Sequence, residues 1–157
     1  MHKLTATLCI LFIALLGFSA WFYFGGTLRA DPYIQTADAA DYPEAFSAIR
    51  SLLDSDSAPQ ILGNTAPSED PAGYILVNIT VTLHNRGLFP AEWLHASVKG
   101  APGDIAVYAV TGEGSDIAAR DSGQINLKLI TTAPPETERE ISIQYYVHGM
   151  KRTITTR

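Results

Sequence analysis

The side chains best suited to chemistry are three histidines (His84, His95 and His148), the acids Glu92 and Glu113, and the loop 111–116, TGEGSD. A metal centre on regular structure draws imidazoles from closely spaced pairs that share one face. None of these histidines has another two or four residues away, although His95 follows Glu92 by three. A serine nucleophile would sit on a G-x-S-x-G elbow, and none occurs. Residues 112–115, GEGS, lack the lysine of a phosphate-binding loop and join two extended segments instead of opening a helix. Glu92 and Glu113 do not form a convincing acid pair. Residues 54–57, DSDS, lack the glycine and distal glutamate of a calcium loop and read as a helix-ending turn. Copper delivery would need exposed Cys, Met or His, but Cys9 lies in an apolar run and Met1 and Met150 are the only methionines. The expectation is a protein that is not an enzyme, with no catalytic, cofactor-binding or metal residues and no cofactor.

Composition narrows the classes further. The 157 residues carry a formal net charge of −5, with 46% hydrophobic and 17% charged residues. An acidic chain lacks the Lys/Arg excess that neutralises phosphates, so nucleic acid is excluded as a partner. A single cysteine rules out an intramolecular disulfide. Residues 4–28 contain no charged side chain. As a helix they would reach about 37 Å, more than the ~30 Å hydrocarbon core. Lys3 precedes the run, and Trp21, Phe22, Tyr23 and Phe24 close it with rings suited to a membrane interface. The reading is a cytoplasmic N-terminus at 1–3, a transmembrane signal-anchor helix at 4–28, and everything downstream outside the cell membrane. The alternative is secretion after signal cleavage. The cleavage candidates at 18–20 (FSA) and 28–30 (LRA) both place a bulky residue at −3.

Residues 29–59 read as an acidic connector. Between 31 and 70 there are eight acids against Arg50 alone, whereas 71–157 is charge-balanced. One short amphipathic helix is expected at 43–54. Pro43 suits its first position, Glu44 suits the N-terminal dipole, and Phe46, Ile49, Leu52 and Leu53 form a stripe. About three turns are not stable alone, so the stripe should dock on the following domain.

From 60 onward the period is two. Ile75, Val77, Ile79, Val81 and Leu83 share one face, with Leu76, Asn78, Thr80, Thr82 and His84 on the other. Asn85-Arg86-Gly87 turns the chain into a strand at 89–99, and others follow at 104–110, 123–131, 140–147 and 150–156, with a weak one near 60–62. His148-Gly149 is a tight hairpin turn. About seven strands with no helix between them predict an all-β domain over 60–157, an immunoglobulin-like antiparallel β-sandwich. Trp93 opposes Leu94, Ala96 and Val98 and reads as a core or rim side chain, with a sugar-stacking platform as the sharper alternative.

The strand ending LHNRG, the later DIAARDSGQINLKL and the closing ISIQYYVHG with TITT resemble CARDB-type and late-embryogenesis-abundant type 2 domains. These are immunoglobulin-like modules of exported proteins, and the resemblance covers roughly 74–157. It implies a non-catalytic binding or structural role, such as protein–protein contact in an envelope complex. The alternatives are an assembly or chaperone factor for a respiratory complex and a carbohydrate-binding module. A partner would be met at the turn 85–90, at Trp93 and at the loop 111–116, with Arg86, Phe89, Trp93 and Glu113 as the contact residues.

Overall fold

The computed structural model describes residues 2–24, 28–53, 60–61 and 67–157, without the side chains of 2–4, 6, 21–24, 52–53, 60–61 and 108–110. Helix α1 (His2–Phe24) is followed by strand β1 (Leu28–Asp38), a 3-10 turn (Ala39–Asp41) and helix α2 (Pro43–Leu53). The remaining strands are β2 (Gln60–Ile61), β3 (Ile75–Asn85), β4 (Glu92–Lys99), β5 (Asp104–Thr111), β6 (Ser122–Thr131), β7 (Glu140–Val147) and β8 (Met150–Thr156). They form two antiparallel sheets, ordered β1-β3-β6-β5-β2 and β4-β7-β8.

The chain folds as a β-sandwich because alternating strands offer one apolar face each, and the two faces exclude water only against one another. Val77, Ile79, Val81 and Leu83 of β3 meet Ile125, Leu127 and Leu129 of β6 in one layer. Leu94, Val98, Ile141, Ile143, Tyr145 and Val147 supply the other. Each fully buried aliphatic contributes about 1.5–3 kcal/mol. No disulfide is needed at this core size.

Three expectations change. Residues 29–38 are not connector. They form β1, which pairs with β3 from Leu28↔Asn85 to Asp38↔Ile75, so the sandwich begins at Leu28 and not at 60. An edge strand tolerates Pro32 and the charges of Arg29 and Asp31 because one row of its backbone groups needs no strand partner. The helix expected at 4–28 ends at Phe24. Among the described residues no helix is long and apolar enough to cross a membrane. Trp93 is not a core side chain: it is 70% exposed.

α2 docks as its stripe requires. Phe46 and Ile49 are buried with Ala39 and Ile130, and Tyr74, Leu76 and Ile105 pack alongside. The Phe46 and Tyr74 rings lie 5.3 Å apart. Beyond this cluster, at the end away from β1's start, a buried ion pair closes the fold. Arg139 Nη2 donates to Asp104 Oδ1 at 2.7 Å and Nε donates to Oδ2 at 3.0 Å. The Ala101 amide donates to Oδ2 at 2.8 Å, and Arg139 Nη1 donates to the Thr137 carbonyl at 2.9 Å. Burial alone would raise the Asp104 carboxyl, but the Arg139 and Ala101 hydrogen bonds outweigh it and hold it below the ordinary aspartate value.

Candidate functional site

The site is built on an irregularity in β4. Register with β7 runs from Glu92↔Tyr146 to His95↔Gln144 with a shift between them. Trp93 occupies that bulge with φ +55°, a left-handed backbone rare for a bulky residue. The indole stands on the exposed face, opposite buried Leu94 and Val98.

The loop 111–117 holds that conformation in place. Asp116 Oδ1 accepts the Trp93 amide at 2.9 Å. Leu94 donates to the Ser115 carbonyl at 3.1 Å, and Gly114 donates back to the Leu94 carbonyl at 2.7 Å. Ala91 and Ile117 exchange amide hydrogen bonds at 2.9 and 2.8 Å. Glu113 Oε2 accepts the Ala96 amide at 3.1 Å, and its Oε1 meets His95 Nδ1. The free edge of β4 is thus covered by a loop, which also blunts it as a template for strand pairing. Glycine is required within that loop. At Gly112, φ is +83° and a Cβ would lie 2.1 Å from the Gln124 carbonyl oxygen.

The turn 85–91 is organised by Asn85, a buried side chain. Its Nδ2 lies 2.8, 3.2 and 3.0 Å from the carbonyls of Phe89, Ile117 and Ala118, and its Oδ1 accepts the Gly87 amide at 2.9 Å. One asparagine therefore ties the turn to the loop that braces Trp93.

Of the four expected contact residues, the structure brings Trp93 and Glu113 to one site, joined through His95 and Ala96. Phe89 and Arg86 lie on the neighbouring turn. Phe89 is half-buried, its ring edge-on to His148 at 3.9 Å. Arg86 is exposed on a shallow groove shared with Arg29 and Arg120. Sequence reading missed Asp116, which holds the Trp93 amide, and Asn85 as a buried hub. The Asn-Arg-Gly signal was visible as a turn, but its long-range partners at 117–118 were not.

The histidines stand apart. His84 Nδ1 is 2.7 Å from Ser122 Oγ, His95 meets Glu113, and His148 packs on Phe89. Among the described residues no group of three or more His, Cys, Asp or Glu is placed to hold a metal ion. A sugar-stacking platform would need Trp93, Tyr108 and Tyr146 together on one flat face, but Trp93 and Tyr146 belong to one sheet and Tyr108 to the other. What the site offers is a rigid aromatic anchor beside a His–carboxylate pair, an arrangement suited to recognition.

The fold places the chain among β-sandwich proteins. No family model matches it, and no curated protein matches it. Among solved structures it is similar to an uncharacterized β-sandwich protein from Clostridium difficile 630 at 7% identity, covering 83% of this chain and 85% of that one, with a TM-score of 0.32.

Proposed function

We propose that the protein is a membrane-anchored, extracytoplasmic, immunoglobulin-like module whose role is non-catalytic contact with a protein partner in an envelope complex. The observation that carries the contact role is Trp93. A large ring held in solvent by a left-handed backbone and braced by Asp116 is disfavoured for folding and favourable for binding. Local strain of this kind costs of order 1–3 kcal/mol and collects at binding sites. Tryptophan is also the residue type most enriched among interface hot spots.

The immunoglobulin-like assignment rests on strand order. In chain order β1, β3, β6 and β5 stand as A, B, E and D, and β4, β7 and β8 as C, F and G, the constant-type arrangement. The likeness to CARDB-type and late-embryogenesis-abundant type 2 modules belongs to the same reading, with the Asn85-closed turn as its support. The anchor rests on the uncharged run 4–28 and on α1. The large apolar side chains of α1 from Leu8 to Phe18 are 53–68% exposed, so the sandwich does not cover them.

The test places a photo-crosslinking residue at position 93 and, as a control, at the exposed position 132 in the full chain, followed by irradiation of intact membranes. A discrete protein adduct from 93 that is absent from 132 is expected. Identical adduct patterns from both positions would refute the contact site.

A further inference from the structure

The end of the sandwich where α1 joins it differs in chemistry from the opposite end. Leu28 opens β1 opposite Asn85, and its amide donates to the buried Tyr145 hydroxyl at 3.4 Å. Only residues 25–27 separate Leu28 from α1, so the two ends lie within about 14 Å of one another even at full extension. The turn 85–91, the turn before β6 and the hairpin at 148–149 share that end, as the His84↔Ser122 register and the Phe89–His148 ring contact show.

Arg29, Arg86 and Arg120 wall a shallow groove there, with Asp31, Asp121 and His84. Arg29 Nε is 3.0 Å from Asp31 Oδ1, and Asp121 Oδ1 accepts the Ser122 amide at 2.8 Å. His84 Nε2 lies 3.6 Å from Asp31 Oδ2. The acids and Arg29 are therefore engaged locally, whereas exposed Arg86 and Arg120 have no ion-pair partner among the described residues. Arg120 is held at φ +59°. At the same end Leu88 is 43% and Met150 38% exposed. The opposite end carries exposed Asp38, Asp41, Glu44, Glu69, Asp70, Glu136 and Glu138 against exposed Lys99 and Arg157, so it is acidic on balance.

We propose that the α1-proximal end of the sandwich rests on the membrane: Arg86 and Arg120 take the phosphates of anionic lipid headgroups, and Leu88 and Met150 enter the headgroup–acyl boundary. This rests on the reading of α1 as an anchor. Cations within a Debye length of an anionic leaflet are attracted and carboxylates repelled, so the charge asymmetry orients the domain with its acidic end outward. The short tether raises the local concentration of headgroups, so weak individual contacts suffice. The docked geometry leaves the domain one fixed height and tilt from which to present Trp93.

The experiment uses the full chain with Cys9→Ser, labelled with a fluorophore at Leu88→Cys or Glu136→Cys. It is reconstituted into vesicles of phosphatidylcholine alone or mixed equally with phosphatidylglycerol. In the anionic vesicles, quenching by headgroup nitroxide should be about threefold stronger at 88 than at 136, with the order reversed for aqueous iodide. The Arg86→Glu/Arg120→Glu pair, which alters only exposed side chains, should bring 88 to the level of 136 without altering the circular dichroism. Carbonate extraction separates the two readings. A chain that carbonate strips from vesicles overturns the anchor and this proposal together. A carbonate-resistant chain whose position 88 is as open to iodide as 136 overturns the docking alone. Protection at 88 in native membranes but not in anionic vesicles also overturns it, and assigns this end to a protein.

Discussion

Replacing Arg139 by methionine strips the Asp104 carboxylate of its guanidinium while the site remains closed to water. The two side chains are 1% and 0% exposed. The carboxylate loses donors at 2.7 and 3.0 Å and keeps the Ala101 amide at 2.8 Å and the Thr131 hydroxyl. Removing one partner of such a pair costs about 3–5 kcal/mol, because an uncompensated charge stays behind. Arg139→Met should therefore destabilise the sandwich by about that amount at pH 7, read from urea unfolding followed by circular dichroism. The pH dependence has a defined sign. In the wild type the folded Asp104 pKa lies below its unfolded value, so its contribution is present above the ordinary carboxylate range and lost as pH falls through the folded value. In Arg139→Met only the Ala101 and Thr131 hydrogen bonds oppose burial, the carboxyl rises, and the deficit relative to wild type shrinks as the medium is acidified. The double variant Arg139→Met/Asp104→Leu removes the stranded charge and should recover most of the loss. A loss below about 1 kcal/mol for the single variant would mean that water already reaches the pair. A double variant as unstable as the single one would assign the effect to packing and refute the electrostatic reasoning.

Other expectations follow from the site and its supports. Trp93→Asn suits the left-handed backbone better than tryptophan, so it should leave stability within about 0.5 kcal/mol of wild type or raise it, while abolishing recovery of the protein partner with the tagged chain from membranes. Asn85→Ala leaves the Gly87 amide and three carbonyls without their shared partner. It should cost about 1–3 kcal/mol in thermal unfolding and speed hydrogen exchange at Gly87. Gly112→Ala drives a Cβ to 2.1 Å from the Gln124 carbonyl and should disrupt the brace, shifting Trp93 fluorescence. Gly73→Ala, with φ +82° but nothing within 4 Å, should cost only about 1 kcal/mol. Phe46→Ala should cost about 3–5 kcal/mol and expose the β6 face at Ile130 to proteolysis of α2.

The sequence by itself determined the parts that depend on near neighbours. Strands β3, β6, β7 and β8 were legible because period-two alternation over seven or more residues has one packing solution. α2 was legible from a proline, an acid and an apolar stripe. The turn residues Asn85, Arg86 and Gly87, and His148 with Gly149, marked where strands end. β1 was hidden, because an edge strand that β3 can complete needs few apolar residues, and its Asp31, Pro32 and Asp38 read as connector. Two features were decided only by tertiary structure. Trp93 lies opposite Leu94, Ala96 and Val98, so alternation alone points it outward, but only the tertiary structure sets the left-handed backbone that holds it, braced by Asp116 from another loop. Arg139 and Asp104 are 35 residues apart, and nothing local distinguishes them from solvated charges. Alternation and turn propensity act within a few residues, so sequence specifies them. The bracing of one side chain and the burial of one ion pair depend on what the other sheet brings alongside, and that exists only after the sheets have closed.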